Sequence, residues 1–164
     1  MDDPTLAAAA IHLRLLAVPA LLRGDGVLLP LERKDAALLA MLAVDGPTPR
    51  PRVAALLWPD AEPKKARNNL RQRLFRLRRS AGRDVVDESG ALALAAAVGH
   101  DQAAVQAQLS QDPSAVGGEL LGSFGYEDCA ELDDWVRSAR ERFRVRRRDA
   151  RTGAADRTRR RRAA

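Results

Sequence analysis

Cysteine is nearly absent. Cys129 is the single thiol among 164 residues, which excludes an internal disulfide framework and suits a reducing compartment. No basic residue lies within several positions of it, so an inert thiol is expected. Histidine is as scarce, with two scattered residues, and gives no ligand cluster of the spacing a metal site needs. Aromatics make up 4% of the chain, so a core must be assembled from Leu, Ala and Val. Long apolar runs are missing too. The stretch from Leu6 to Leu22 follows Asp2 and Asp3 rather than a basic start and is interrupted by Arg14, unlike a signal peptide. It is also too short to span a bilayer, and no membrane partner is expected. Finally, there is no glycine-rich phosphate loop and no paired His/Cys nucleophile motif. Neither catalysis nor a cofactor is expected.

What the chain has is charge, sorted into blocks. The net charge is +6. Residues 62–83 hold nine Lys/Arg against one Glu, residues 99–135 eight Asp/Glu and no Lys/Arg, and residues 136–164 thirteen Arg against three acids. Segregation on this scale assigns separate surfaces to separate tasks.

The first basic block reads as one helix. At about 100° per residue, Ala66, Leu70, Leu74, Leu77 and Ala81 stack into a narrow apolar stripe. Opposite lie Lys65, Asn68, Gln72, Phe75, Arg76 and Arg79, with Asn69 and Arg71 on the flanks. Such a helix can bury one face and offer the other to a major groove, where Arg and Lys neutralise phosphates and Arg, Asn and Gln bond base edges. Ordinary surface helices intersperse both signs of charge, and this face does not. Arg73 and Arg78 lie nearer the stripe and can cover it with their aliphatic stems. Phe75 fits either a thymine methyl or packing against a neighbouring element.

The flanking sequence supplies a scaffold. Ile11, Leu13 and Leu15 alternate with His12 and Arg14, a half-buried strand. Segments 20–23 and 27–31 flank Gly24-Asp25-Gly26, a hairpin turn. From Glu32 the period turns helical, with Leu38, Leu39, Leu42 and Ala43 on one side, until Asp45-Gly46-Pro47 stops it. A second helix from about Pro51 to Leu57 buries Val53, Leu56 and Leu57 and closes at Trp58-Pro59. Pro63 opens the basic helix. Val85-Val86 and Leu92-Ala93-Leu94 then form a hairpin through Asp87-Glu88-Ser89-Gly90. The order predicts an α+β winged helix-turn-helix: a small antiparallel N-terminal sheet, three helices and a C-terminal hairpin wing that touches DNA backbone or minor groove. A short all-α segment comes next, with helices over 101–109 and about 127–148, the latter carrying Leu132, Val136, Ala139 and Phe143. Residues 8–98 are assigned to the winged helix, 99–150 to a partial helical domain and 151–164 to a disordered Arg-rich tail.

LRLLAVPAL at 13–21, ERKDAALLAMLA at 32–43, RVAALLWPD at 52–60 and ARNNLRQRLFRLRRSAG at 66–82 resemble the DNA-binding half of antibiotic-regulatory-protein (SARP) type bacterial transcriptional activators. That half is similar to the winged-helix output domains of response regulators. GELLGSF at 118–124 and ELDDWVRSARERFRVRRRDA at 131–150 resemble pieces of the tetratricopeptide-like activator domain that succeeds it in the family; the span from Asp101 to Gly118 is shorter than the family's usual helical pair. The resemblance implies DNA contact at Asn68, Asn69, Arg71, Gln72, Arg73, Arg76 and Arg79. It also implies that the loop Trp58-Pro59-Asp60-Ala61-Glu62 meets RNA polymerase, with Trp58, Asp60 and Glu62 as the contact candidates. Family members bind direct repeats of double-stranded DNA as head-to-tail pairs, so a homodimer on DNA is implied.

The expected function is a cytoplasmic, nucleoid-associated, sequence-specific transcriptional regulator acting as an activator. The rivals are a protein-interaction module that recruits polymerase or a partner regulator, and a truncated passive DNA binder. Trp58 and Trp135 are expected to plug the core rather than anchor partners. The acidic block is expected to be a solvated surface, its rival being a segment that folds back on the basic helix. The terminal arginines either clamp DNA non-specifically or have no selected role.

Overall fold

The computed structural model describes residues 10–101 and 118–163. The frayed start expected over the first seven residues, and the helix expected over 101–109 beyond its first residue, lie outside them. Strand β1 (Ile11–Arg14) alternates buried Ile11 and Leu13 with half-exposed His12 and Arg14, as period-two patterning requires. β2 (Ala20–Arg23) and β3 (Leu28–Pro30) pair antiparallel around the Gly24–Gly26 turn, where Gly26 takes a φ of 85°. Helix α1 (Arg33–Asp45) comes next. Its residues Ala36 through Leu42 are all buried, so it runs through the middle of the molecule rather than lying on it with one stripe.

Helix α2 (Arg50–Leu57) buries Val53, Ala54, Leu56 and Leu57. The basic helix α3 spans Pro63–Ala81 and buries Ala66, Leu70, Leu74, Leu77 and Ala81, the five residues of the expected stripe. It ends on Gly82, whose left-handed φ of 75° lets its N–H return to Arg78 O. The wing is β4 (Val86–Asp87) paired antiparallel with β5 (Ala93–Leu94). Thr48 and Leu92 exchange backbone hydrogen bonds of 2.8 and 2.9 Å, which fasten the wing's base to the α1–α2 turn.

The sheet departs from a purely antiparallel one. A fourth strand, β6 (Val98–His100), runs parallel to β1 with Ile11 opposite Val98, giving the order β3-β2-β1-β6. Three residues around a glycine carry no readable alternation, and the next residue, Asp101, secures the strand. Its carboxylate accepts the N–H groups of Leu15 at 3.0 and 3.1 Å and Leu16 at 3.0 Å. β6 therefore crosses the composition shift at Gly99.

Residues 118–129 are laced to the winged helix. Leu121 N–H donates to Leu15 O at 2.7 Å, and Ala17 N–H to Glu119 O at 2.9 Å. Gly122 approaches so closely that a Cβ on it would lie 1.8 Å from Ala17 O. Arg33 donates through both Nη atoms to Asp128, at 2.5 and 2.7 Å, and to Gly125 O at 2.9 Å. Its guanidinium stands 5.3 Å from the Tyr126 ring centroid, while the Tyr126 hydroxyl donates to Arg33 O at 2.7 Å. Leu120, Leu121, Tyr126, Cys129, Leu132, Val136, Ala139 and Phe143 join the same buried cluster as the winged helix. Cys129 is buried with Sγ 3.7 Å from Leu57 O, and burial pushes its thiol up, consistent with an inert residue. Trp135 is half-buried against the core, and its indole N–H donates to Asp45 at 2.7 Å.

The last helix, α4, runs Ala130–Arg162. This corrects the expectation of a helix closing near 148 and a disordered tail over 151–164. None of the described side chains beyond Phe143 is buried, so apolar periodicity could not reveal the continuation. Its support is local: Arg and Ala are strong helix formers, Asp156 pairs with Arg160 at i,i+4, and Arg159–Arg162 sit at the negative end of the helix dipole. Among the described residues no helix is long and apolar enough to cross a membrane.

Two measurements test this docking. Tyr126→Phe removes a buried hydroxyl and its bond to Arg33 O, and should lower the unfolding free energy by about 1 kcal/mol in urea titrations. The hydrogen bonds from Arg33, with its charge, hold the Asp128 carboxyl down to about 2. Its contribution is therefore present above the ordinary carboxylate pKa and is lost as pH falls from about 4 towards 2. Asp128→Asn should flatten the fall in thermal midpoint over that window; an unchanged profile would show that the half-exposed pair contributes nothing.

Candidate nucleic-acid interface

Proline at the first position of α3 and the glycine cap at its end hold nineteen residues in one unbroken helix. The leucine stripe seats one side in the core. On the other, Lys65, Asn68, Arg71, Gln72, Arg76 and Arg79 are exposed, and Asn69 is half-exposed on the flank. Arg71 Nη2 donates to Asn68 Oδ1 at 3.1 Å, which aligns two of these groups side by side. Phe75 is 63% exposed, so it is not packed against another described element. Lys64 and Arg67 belong to the same surface, lining a shallow concavity with Glu62, Lys65, Asn68 and Arg71. Neither lies diametrically opposite the leucines, so the stripe does not single them out, although both contribute to the charge of the block.

Arg73 departs from the rest. Its side chain points back towards α1, 22% exposed, with Nη1 2.5 Å from Glu32 and 3.2 Å from Asp35. Burial pushes the Asp35 carboxyl up despite the facing Arg73, and Asp35 Oδ1 is buried without an aligned hydrogen bond. The two carboxylates keep Arg73 charged. Arg73 thus works within the fold, and Arg78 pairs with Asp84 at 3.0 Å.

The loop between α2 and α3 exposes Asp60 and Glu62, while Trp58 is half-buried against the core. Lys34 Nζ donates to Leu57 O at 2.7 Å and stands 5.1 Å from the Trp58 ring centroid. Trp58 nonetheless borders an open groove with Pro51, Ala54, Pro59, Ala61 and Pro63. The wing tip is acidic: Asp87 and Glu88 are exposed. The Ser89 backbone N–H pulls the Asp87 carboxyl down, and Arg50 bonds Glu88. Two carboxylates carry the wrong sign for the phosphate contact expected of the hairpin. Among the described residues no group of His, Cys, Asp and Glu could hold a metal ion.

The role of Arg73 is open to measurement. Arg73→Met keeps the aliphatic stem but leaves Asp35 buried without its cation. It should cost about 1–3 kcal/mol of stability, read by urea unfolding, while the base preference of any bound DNA stays as it was.

No family model matches the chain, and no curated protein matches it. Among solved structures it is similar to Mycobacterium tuberculosis EmbR in complex with a low-affinity phosphopeptide, with a TM-score of 0.56 and 21% sequence identity. The match covers 83% of this chain and 43% of that one, so the chain spans less than half the length of the structure it matches. The likeness is one of fold: an α+β arrangement of small sheet, three helices, hairpin and C-terminal helix.

Proposed function

We propose that this chain is a sequence-specific, double-stranded-DNA-binding transcriptional regulator, an activator of the antibiotic-regulatory type that works in the cytoplasm. One observation carries the reading. α3 presents Lys65, Asn68, Arg71, Gln72, Arg76 and Arg79 on a solvent face to which the helix itself contributes no carboxylate, over a stripe wholly buried in the core. In this reading α3 enters the major groove. Asn68, Gln72, Arg76 and Arg79 read base edges, while Lys65, Asn69 and Arg71 hold phosphates. Phe75, exposed beside them, meets a thymine methyl. The shared fold is compatible with a DNA-binding regulator, and the motif resemblance is the ground for reading it as one that sits on direct repeats as a homodimer and reaches RNA polymerase through Asp60, Glu62 and the edge of Trp58.

The groove beside Trp58, lined largely by proline and alanine, favours a second reading in which the chain recruits polymerase or a partner regulator without reading DNA. Selection of bound duplexes from a random pool separates the two. Enrichment of a repeated motif supports DNA readout, and a flat pool with retained protein binding sinks it. With about six phosphates neutralised, the log–log salt slope of affinity should lie near −5. Arg76→Ala should cost about 1–3 kcal/mol on the selected site and loosen preference at one base position. Equal loss on random DNA would reassign Arg76 to a phosphate.

A further inference from the structure

Beyond Phe143, α4 continues for nineteen residues, Arg144 to Arg162, about 28 Å at 1.5 Å per residue. The segment holds ten arginines against Asp149 and Asp156. Arg144 and Arg148 share Glu141, Arg144 also reaches Glu119, and Arg160 pairs with Asp156. Arg157, Arg159, Arg161 and Arg162 are exposed and have no acidic partner among the described residues. Four consecutive arginines at 100° steps place cations on every side of the rod. Arg157 and Arg161, at i,i+4, repel one another along it.

We propose that this rod is a second, sequence-independent DNA contact: residues 144–162 bind the phosphate backbone of the duplex that α3 reads. The surface rests on the DNA-binding reading for the identity of its ligand. The chemistry selects among polyanions. A membrane-surface helix needs an apolar face to bury, and a protein interface needs a desolvated aromatic or aliphatic anchor. Past Phe143 this segment offers Val145 and alanines alone. A phosphate backbone requires neither, only cations that displace its counterions. Over the length of the rod a duplex presents on the order of sixteen phosphates, enough to engage every unpaired arginine from one side or another.

The test uses the full chain and a variant carrying Arg157→Gln, Arg159→Gln, Arg161→Gln and Arg162→Gln, which changes no residue packed in the core. Fluorescence anisotropy across a salt series reads affinity for a selected duplex and for a scrambled one. The expected result is a salt slope shallower by about three to four, with affinity lost equally on both duplexes and the preference ratio unchanged. An unchanged slope overturns the proposal. So does arginine-dependent binding to an RNA hairpin or to phosphatidylglycerol vesicles that exceeds binding to duplex DNA. The two readings fail separately. If α3 does not read bases, the full chain shows no preference but the slope still responds to the four substitutions. If the rod is idle, the preference stands and the slope does not move.

Discussion

The roll of α3 about its own axis decides which side chains meet solvent, and two contacts fix it. The stripe from Ala66 to Ala81 buries one side. A ridge of leucines and alanines alone, though, leaves a helix free to roll by several degrees, since packed apolar surfaces are not directional. The ion pairs of Arg73 with Glu32 and Asp35 supply the direction. Their net stabilisation is small, because desolvation of Asp35 outweighs the attraction of Arg73 and leaves its carboxyl raised. What the contact secures is geometry. With Arg73 held towards α1, Gln72 and Arg76 are turned outward.

The first turn of α1 extends the same constraint to the rest of the molecule. Glu32 and Asp35 hold α3, Arg33 holds Asp128 and Gly125, and Lys34 holds the end of α2. Four consecutive charged residues thus reach three different elements, and the buried middle of α1 gives them a rigid base. Arg140 performs a comparable task from α4 by donating to the carbonyls of Leu120, Gly122 and Phe124. Those carbonyls lie in a tight turn with few strand partners of their own, and satisfying them lets residues 118–129 pack without orphaned acceptors.

The range of each interaction decides how much of this is legible in the sequence. The stripe of α3, the strand alternation of β1 and the glycine stops are local, and each lies where its spacing put it. The turn of Arg73 towards α1 is not legible, because its partners stand 41 and 38 positions away and no period links them. β6 is hidden for a related reason: its pairing with β1 spans 87 positions, and it is secured by the Asp101 side chain rather than by its own composition. Tyr126 gives no signal because Phe124 and Tyr126 stand in a short Gly- and acid-containing segment that looks like a loop. Its burial depends on Arg33 above the ring and on the backbone oxygen its hydroxyl meets. The basic extension of α4 misleads in the opposite sense, since absence of an apolar stripe says that a segment is unpacked, not that it is non-helical.

Among the described residues, the acidic block leaves the outer face of α3 open. An acidic segment of matching size is a candidate to fold back on the basic helix, yet five of its described carboxylates have partners elsewhere. Asp101 caps the backbone of Leu15 and Leu16, Asp128 takes Arg33, Glu119 takes Arg144, and Asp133 and Asp134 take Arg137. Several of these pairs are exposed and individually weak. Together they engage these five acids within the C-terminal segment and its seams with α1 and β1. The carboxylates that do reach α3, Glu32, Asp35 and Asp84, meet Arg73 and Arg78, which flank the stripe rather than face outward. Internal neutralisation is thereby confined to the sides of the helix, and the cations of the outer face keep their charge for a ligand from solution.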